Sequence, residues 1–137
     1  MKKKSLNKKI RFLDIKILKN KKGNLLKIFN GEYKLGDCYI SYVNKNKIKA
    51  WRYHKLSEQR IFLLSGRCKV VVISKKNNNT YILTENKNKL LIIPNKSWYG
   101  FQNIGKDKVK LLNIINIKYS EKEIERKNIQ DFNYDWK

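Results

Sequence analysis

Hydrophobic residues in this chain come in short runs rich in β-branched and aromatic side chains, each closed off by Asn, Lys, Ser or Gly. Residues 38–43, 61–64, 69–73, 80–84, 90–93 and 111–117 all have this form. Such side chains fit the pleated, half-buried surface of a sheet. Residues 75–79 separate two of the runs and predict a hairpin turn, because Asn tolerates left-handed backbone angles. Gly23-Asn24 and Asn30-Gly31 punctuate the first third in the same way. Short strands at close spacing predict an all-β sandwich or barrel, not alternating strand–helix units. One short helix is expected over residues 120–128, with Ser120 as N-cap and Glu123 at the capping-box position. The basic residues 1–9 precede the pattern and are expected to form a flexible tail, leaving 10–137 as a single domain.

Length and composition narrow this picture. A chain of 137 residues with a 41% apolar fraction can bury one continuous core. Its apolar runs are too short to cross a bilayer, and no apolar stretch of signal-peptide length follows the basic start, so a cytoplasmic protein without membrane partners is expected. Cys38 and Cys68 both sit in strand-like runs and are expected to be reduced, buried thiols. The net charge of +22 invites a nucleic-acid reading. Against it, 28 lysines face only 5 arginines, and Asn and Ile each number 17, the composition that AT-rich coding yields. The basic residues are also spread along the chain and form no single stripe. No specific nucleic-acid partner is expected, whereas a small anionic ligand would be attracted.

The chain has one histidine, His54, and one proline, Pro94, and both fall on the frame of a cupin barrel. The frame's first motif (Gly, five residues, His-X-His, four residues, Glu, six residues, Gly) overlays Asn46, Arg52-Tyr53-His54, Gln59 and Gly66. Its second (Pro-X-Gly, two residues, His, three residues, Asn) overlays Pro94-Asn95-Lys96, Tyr99 and Asn103. Arg52, Gln59 and Tyr99 therefore stand where a metal-binding cupin has ligands. One imidazole does not hold a transition metal, so no metal and no cofactor are expected.

Ile48-Lys49-Ala50-Trp51-Arg52-Tyr53-His54, the Ser65-Gly66-Arg67 turn with its following strand, Ile93-Pro94-Asn95-Lys96-Ser97-Trp98-Tyr99-Gly100-Phe101 and the closing Asp135-Trp136 together resemble the dTDP-4-dehydrorhamnose 3,5-epimerase family of metal-free cupins. The resemblance implies a cupin-type jelly-roll barrel, a homodimer, and a nucleotide-sugar substrate carrying a 4-keto group. It also implies His54 as the base that removes a proton beside the keto group. A histidine suits that step because its pKa near 6.5 leaves it neutral yet basic near pH 7. Arg52 shares the strand face of His54, and Arg52, Gln59 and Trp98 become candidate substrate contacts. The family's proton-donating tyrosine aligns with Asn113, which cannot donate a proton in that role. Asn113 is kept as a substrate contact, and Tyr99 and Tyr119 are the candidate acids. Two functional readings stay open: a nucleotide-sugar epimerase or ketoisomerase, and a non-catalytic cupin that binds a sugar nucleotide or another small anion.

Overall fold

The computed structural model describes residues 9–29, 31, 33–74 and 78–137. Residues 1–8 of the expected tail, Asn30, and most of the expected 75–79 turn lie outside them. Twelve strands follow in order among the described residues: β1 (Arg11–Asp14), β2 (Lys16–Leu18), β3 (Leu25–Lys27), β4 (Asp37–Val43), β5 (Ile48–His54), β6 (Gln59–Ser65), β7 (Arg67–Ile73), β8 (Asn79–Thr84), β9 (Lys89–Ile93), β10 (Trp98–Asn103), β11 (Val109–Ile115) and β12 (Ile124–Arg126). They form two five-stranded antiparallel sheets, β1-β9-β6-β11-β4 and β12-β5-β10-β7-β8, with a β2–β3 hairpin beside them. This is the all-β, jelly-roll architecture expected of a cupin, in which the strands from β4 to β12, apart from the β7–β8 hairpin, alternate between the facing sheets.

The apolar pattern explains the layers. Ile61, Leu63, Val70, Val72, Leu91, Ile93, Phe101 and Leu111 join one buried cluster between the sheets. Alternate residues of the first sheet, Phe62 and Leu90, point the other way and pack with Ile15, Ile17, Leu26 and Leu112. The N-terminal hairpin thus covers the outer face of that sheet. A strand covered on both faces reads as a continuous apolar run, and Leu90-Leu91-Ile92-Ile93 is one.

Backbone geometry follows the cupin frame at its glycine positions. Asn46, Gly66 and Lys96 adopt positive φ angles of 64°, 97° and 62°. Glycine and asparagine take this conformation readily, whereas Lys96 does so at a steric cost. Asn103, the last frame residue, donates to the carbonyls of Val43 and Asp107 and accepts from the Gly105 N–H, pinning the turn after β10.

Three expectations need correction. The 120–128 helix is a single 3₁₀ turn at Glu121–Glu123 that runs straight into β12. Ser120 does cap it, accepting from the Lys122 N–H at 3.3 Å, but pairing of β12 with the β5 edge outweighs helix propagation. Cys38 is exposed, because the outer face of edge strand β4 has no cover; Cys68 is buried, and burial pushes its thiol up to about 12. The run expected over 111–117 ends as a strand at Ile115, which leaves Tyr119 outside β11.

Candidate active site

Antiparallel pairing of β5 with β10 sets Tyr99 opposite Arg52 and Trp98 opposite Tyr53, with an irregularity between Tyr99 and Gly100. Gly100 fits there because a side chain would collide with Ala50, at 2.7 Å from its Cβ, and with Trp136. On the other edge of β5, β12 sets Ile124 opposite His54. His54 is thus flanked by strands on both sides and is only 2% exposed.

Every polar atom of the imidazole has a partner. Nδ1 lies 3.0 Å from Glu123 Oε2, and Ser57 Oγ is also 3.0 Å away. Glu123 is 3% exposed, and its Oε1 accepts from the Leu56 N–H, the Ser57 N–H and the Ser57 hydroxyl. Burial alone would raise this carboxyl, but those three donors and His54 hold it below the usual carboxylate range. An ionised Glu123 accepts a hydrogen bond and gives none, so Nδ1 carries the imidazole proton and Nε2 is the basic nitrogen. Burial is the largest influence on His54 and lowers its pKa, against the opposing pull of Glu123.

Nε2 faces two groups, Tyr99 Oη at 2.8 Å and Gln59 Nε2 at 2.8 Å. The Gln59 amide also donates to Tyr39 Oη at 3.1 Å, while its buried Oε1 has no partner. Arg52 stands opposite Tyr99 in the β5–β10 register, and its charge pulls the phenol's pKa down against burial. With the ring proton on Nδ1, Nε2 can only accept, so the phenol's own proton points at it. Burial raises the Tyr99 phenol far above its ordinary pKa, so at rest it is a neutral hydroxyl.

Tyr99 and Arg52 look out on a cavity of about 520 Å³. Lys49, Arg126, Lys127 and Asp131 lie around it, with Ser41 and Asn113 contributed from the facing sheet. Four cations against one carboxylate make it a site for an anion. Its size suits a small-molecule ligand.

The structure brings His54, Tyr99, Arg52 and Gln59 into one cluster and puts Asn113 on the cavity wall. Asn113 spends its amide N–H groups on Ser41 Oγ at 2.8 Å and the Leu111 carbonyl at 3.0 Å. Two candidates fall elsewhere. Tyr119 gives its proton to exposed Glu121 at 2.6 Å, beside Arg126, which holds that carboxyl down at about 2. Trp98 packs away from the cavity, 5.0 Å from the Tyr53 ring and 5.6 Å from Phe132, with the Lys127 ammonium over its face. Glu123 was missed, since its spacing from Ser120 reads as a helix cap. Among the described residues, no group of three or more His, Cys, Asp or Glu is placed to hold a metal ion. Nor is any helix there long and apolar enough to cross a membrane.

The family described as "FdtA: WxcM-like, C-terminal" matches residues 8–135. No sequence match was found among curated proteins. Among solved structures, a dTDP sugar isomerase from Desulfovibrio desulfuricans G20 is similar at 24% identity and a TM-score of 0.80, over 89% of this chain and 85% of that one. A 3,4-ketoisomerase from Helicobacter canadensis is similar at 24% identity and 0.77, over 86% and 90%. A dTDP-4-dehydrorhamnose 3,5-epimerase from Bacillus anthracis str. Ames, with TDP and pyrophosphate bound, is similar at 15% identity and 0.76, over 89% and 80%.

Proposed function

This chain belongs to the FdtA, WxcM-like C-terminal family, and from that premise we propose that it is an isomerase of nucleotide-diphosphate 4-keto sugars. The observation that carries the reading is the buried line Glu123–His54–Tyr99, which ends at a cation-lined cavity. Moving a keto group to the next carbon needs a proton taken from one carbon and returned to its neighbour, through an enediolate. His54 supplies the basic site. Glu123 fixes its tautomer and stabilises the imidazolium that forms. Arg52, at the cavity surface, stabilises negative charge on the enediolate oxygens. Lys49, Arg126 and Lys127 suit a diphosphate.

Isomerisation is favoured over inversion by the distribution of proton carriers. His54 and Tyr99 stand on β5 and β10 of one sheet, and the facing wall offers Asn113 and Ser41. An amide and an alkyl hydroxyl are poor acids for protonating a carbon from the opposite face. A one-sided proton shift is what this arrangement supports. The similar structures named as a sugar isomerase and a 3,4-ketoisomerase point the same way. The same reading includes a homodimer, supported by edge strand β4, which leaves Ile40 and Tyr42 about half exposed.

The test is incubation with dTDP-4-keto-6-deoxyglucose and product analysis by NMR. The expected product is the 3-keto isomer. A product inverted at a carbon beside the keto group would make the protein an epimerase. Tight TDP binding with unchanged substrate across dTDP-, GDP- and CDP-linked 4-keto sugars would make it a binding module.

A further inference from the structure

Resting on the isomerase reading, we propose that the substrate's proton passes through the phenol oxygen of Tyr99, with His54 accepting behind it and never meeting the substrate. Three observations carry this. Tyr99 lines the cavity and His54 does not. The imidazole is closed on both sides, Nδ1 by Glu123 and Nε2 by Tyr99 and Gln59. Of the two groups on Nε2, the Gln59 amide nitrogen has no lone pair with which to take up a proton, whereas a hydroxyl both gives and accepts. Among the described residues, the exit from Nε2 to the cavity is therefore Tyr99 Oη.

The step balances within the residues named. As the substrate's C–H bond breaks, its proton bonds to Tyr99 Oη and its electron pair enters the enediolate. At the same time the Tyr99 hydroxyl proton moves to His54 Nε2. The result is an enediolate, a neutral phenol and an imidazolium beside Glu123. While the enediolate stands, the phenol hydrogen at the cavity wall exchanges with solvent; reversal then sends the imidazolium proton back through Oη while the phenol hydrogen is delivered to the adjacent carbon, the hydroxyl proton of the enediolate passes to the former keto oxygen, and nothing is consumed. Coupled transfer suits a phenol buried this deeply, since a free phenolate is never formed. Arg52, opposite Tyr99 on β5 and on the same cavity wall, brings a positive charge to the oxygens where the enediolate forms. Gln59, on the opposite side of Nε2, is a positioning residue that holds the imidazole against Tyr99.

The experiment measures exchange of the substrate's α-proton in deuterated solvent for the wild type, Tyr99→Phe and His54→Asn, with TDP affinity alongside. Both variants are expected to lose exchange by ~10²-fold or more, the scale of general acid–base catalysis, while TDP affinity holds. Tyr99→Phe exchanging at the wild-type rate would overturn the relay and leave the isomerase reading intact, with His54 acting directly. No exchange by the wild type on any 4-keto sugar would end both. A substrate-free readout separates the two: ¹⁵N NMR of the lone histidine should show Nε2 shifting when Tyr99 becomes Phe, and an unmoved resonance would overturn the relay alone. Should Tyr99→Phe fail to fold, 3-fluorotyrosine at position 99 keeps the hydroxyl but makes it more acidic. The relay requires a changed exchange rate there, and an identical rate contradicts it.

Discussion

At the scale of single residues, the site depends on where one proton sits. Glu123 accepts the hydrogen bond from Nδ1–H and so keeps the proton on Nδ1, which leaves Nε2 basic; a neutral amide there would present N–H groups to Nδ1 and push the proton to Nε2. Glu123→Gln is therefore expected to switch the His54 tautomer, visible as exchanged ¹⁵N shifts, and to lower proton exchange by ~10²-fold. A variant that keeps the wild-type tautomer would show that Glu123 is not what orients the ring. The pH dependence has a defined sign. Burial lowers the His54 pKa below its ordinary 6.5, so the unfolded chain binds the extra proton first. Stability from the neutral buried ring is complete above pH 6.5 and is lost as pH falls toward the folded pKa. Activity should keep its plateau down to pH 6.5 and drop only below it. An NMR titration of the lone histidine checks this, and a midpoint above 6.5 would contradict it. His54, Arg52, Gln59 and Tyr99 were legible because the cupin frame fixes their spacing. Glu123 was not, since the same Ser-to-Glu spacing serves a helix cap and the choice depends on a strand edge distant in sequence.

At the scale of elements, the short β-branched runs gave the strands from β4 to β11, apart from β5 and β10, which the cupin motifs located. The N-terminal strands were not legible. They are short, and their role depends on the outward-facing residues Phe62, Leu90 and Leu112, which a run of alternate apolar positions does not distinguish from inward ones. The turn before β10 offers a direct test. Lys96 holds a positive φ of 62° while its N–H donates to the His54 carbonyl at 2.7 Å. A left-handed backbone costs an L-residue roughly 1–2 kcal/mol, more than the ~0.5–1 kcal/mol entropy that glycine loses. Lys96→Gly should raise stability in urea titration by up to ~1 kcal/mol. A loss of the size seen for glycine at ordinary positions would show that Lys96 is not strained.

At the scale of the whole molecule, the charge of +22 belongs mostly to scattered exposed lysines, and the concentrated part of it surrounds the cavity at Lys49, Arg52, Arg126 and Lys127. Affinity for TDP should therefore weaken steeply with salt, while duplex DNA binds weakly and without sequence preference. Isothermal titration at two salt concentrations and a gel-shift series check this; tight, sequence-selective DNA binding at physiological salt would contradict it. If His54 drives proton transfer beside a keto group, solvent hydrogen enters the product only while that imidazole is present. Deuterium incorporation from solvent into a nucleotide 4-keto sugar, compared between wild type and His54→Asn, tests it most directly. The wild type is expected to place one deuterium on the carbon next to the new keto group, and the variant to lose incorporation by ~10²–10⁴-fold with TDP still bound. Equal incorporation by His54→Asn would contradict it.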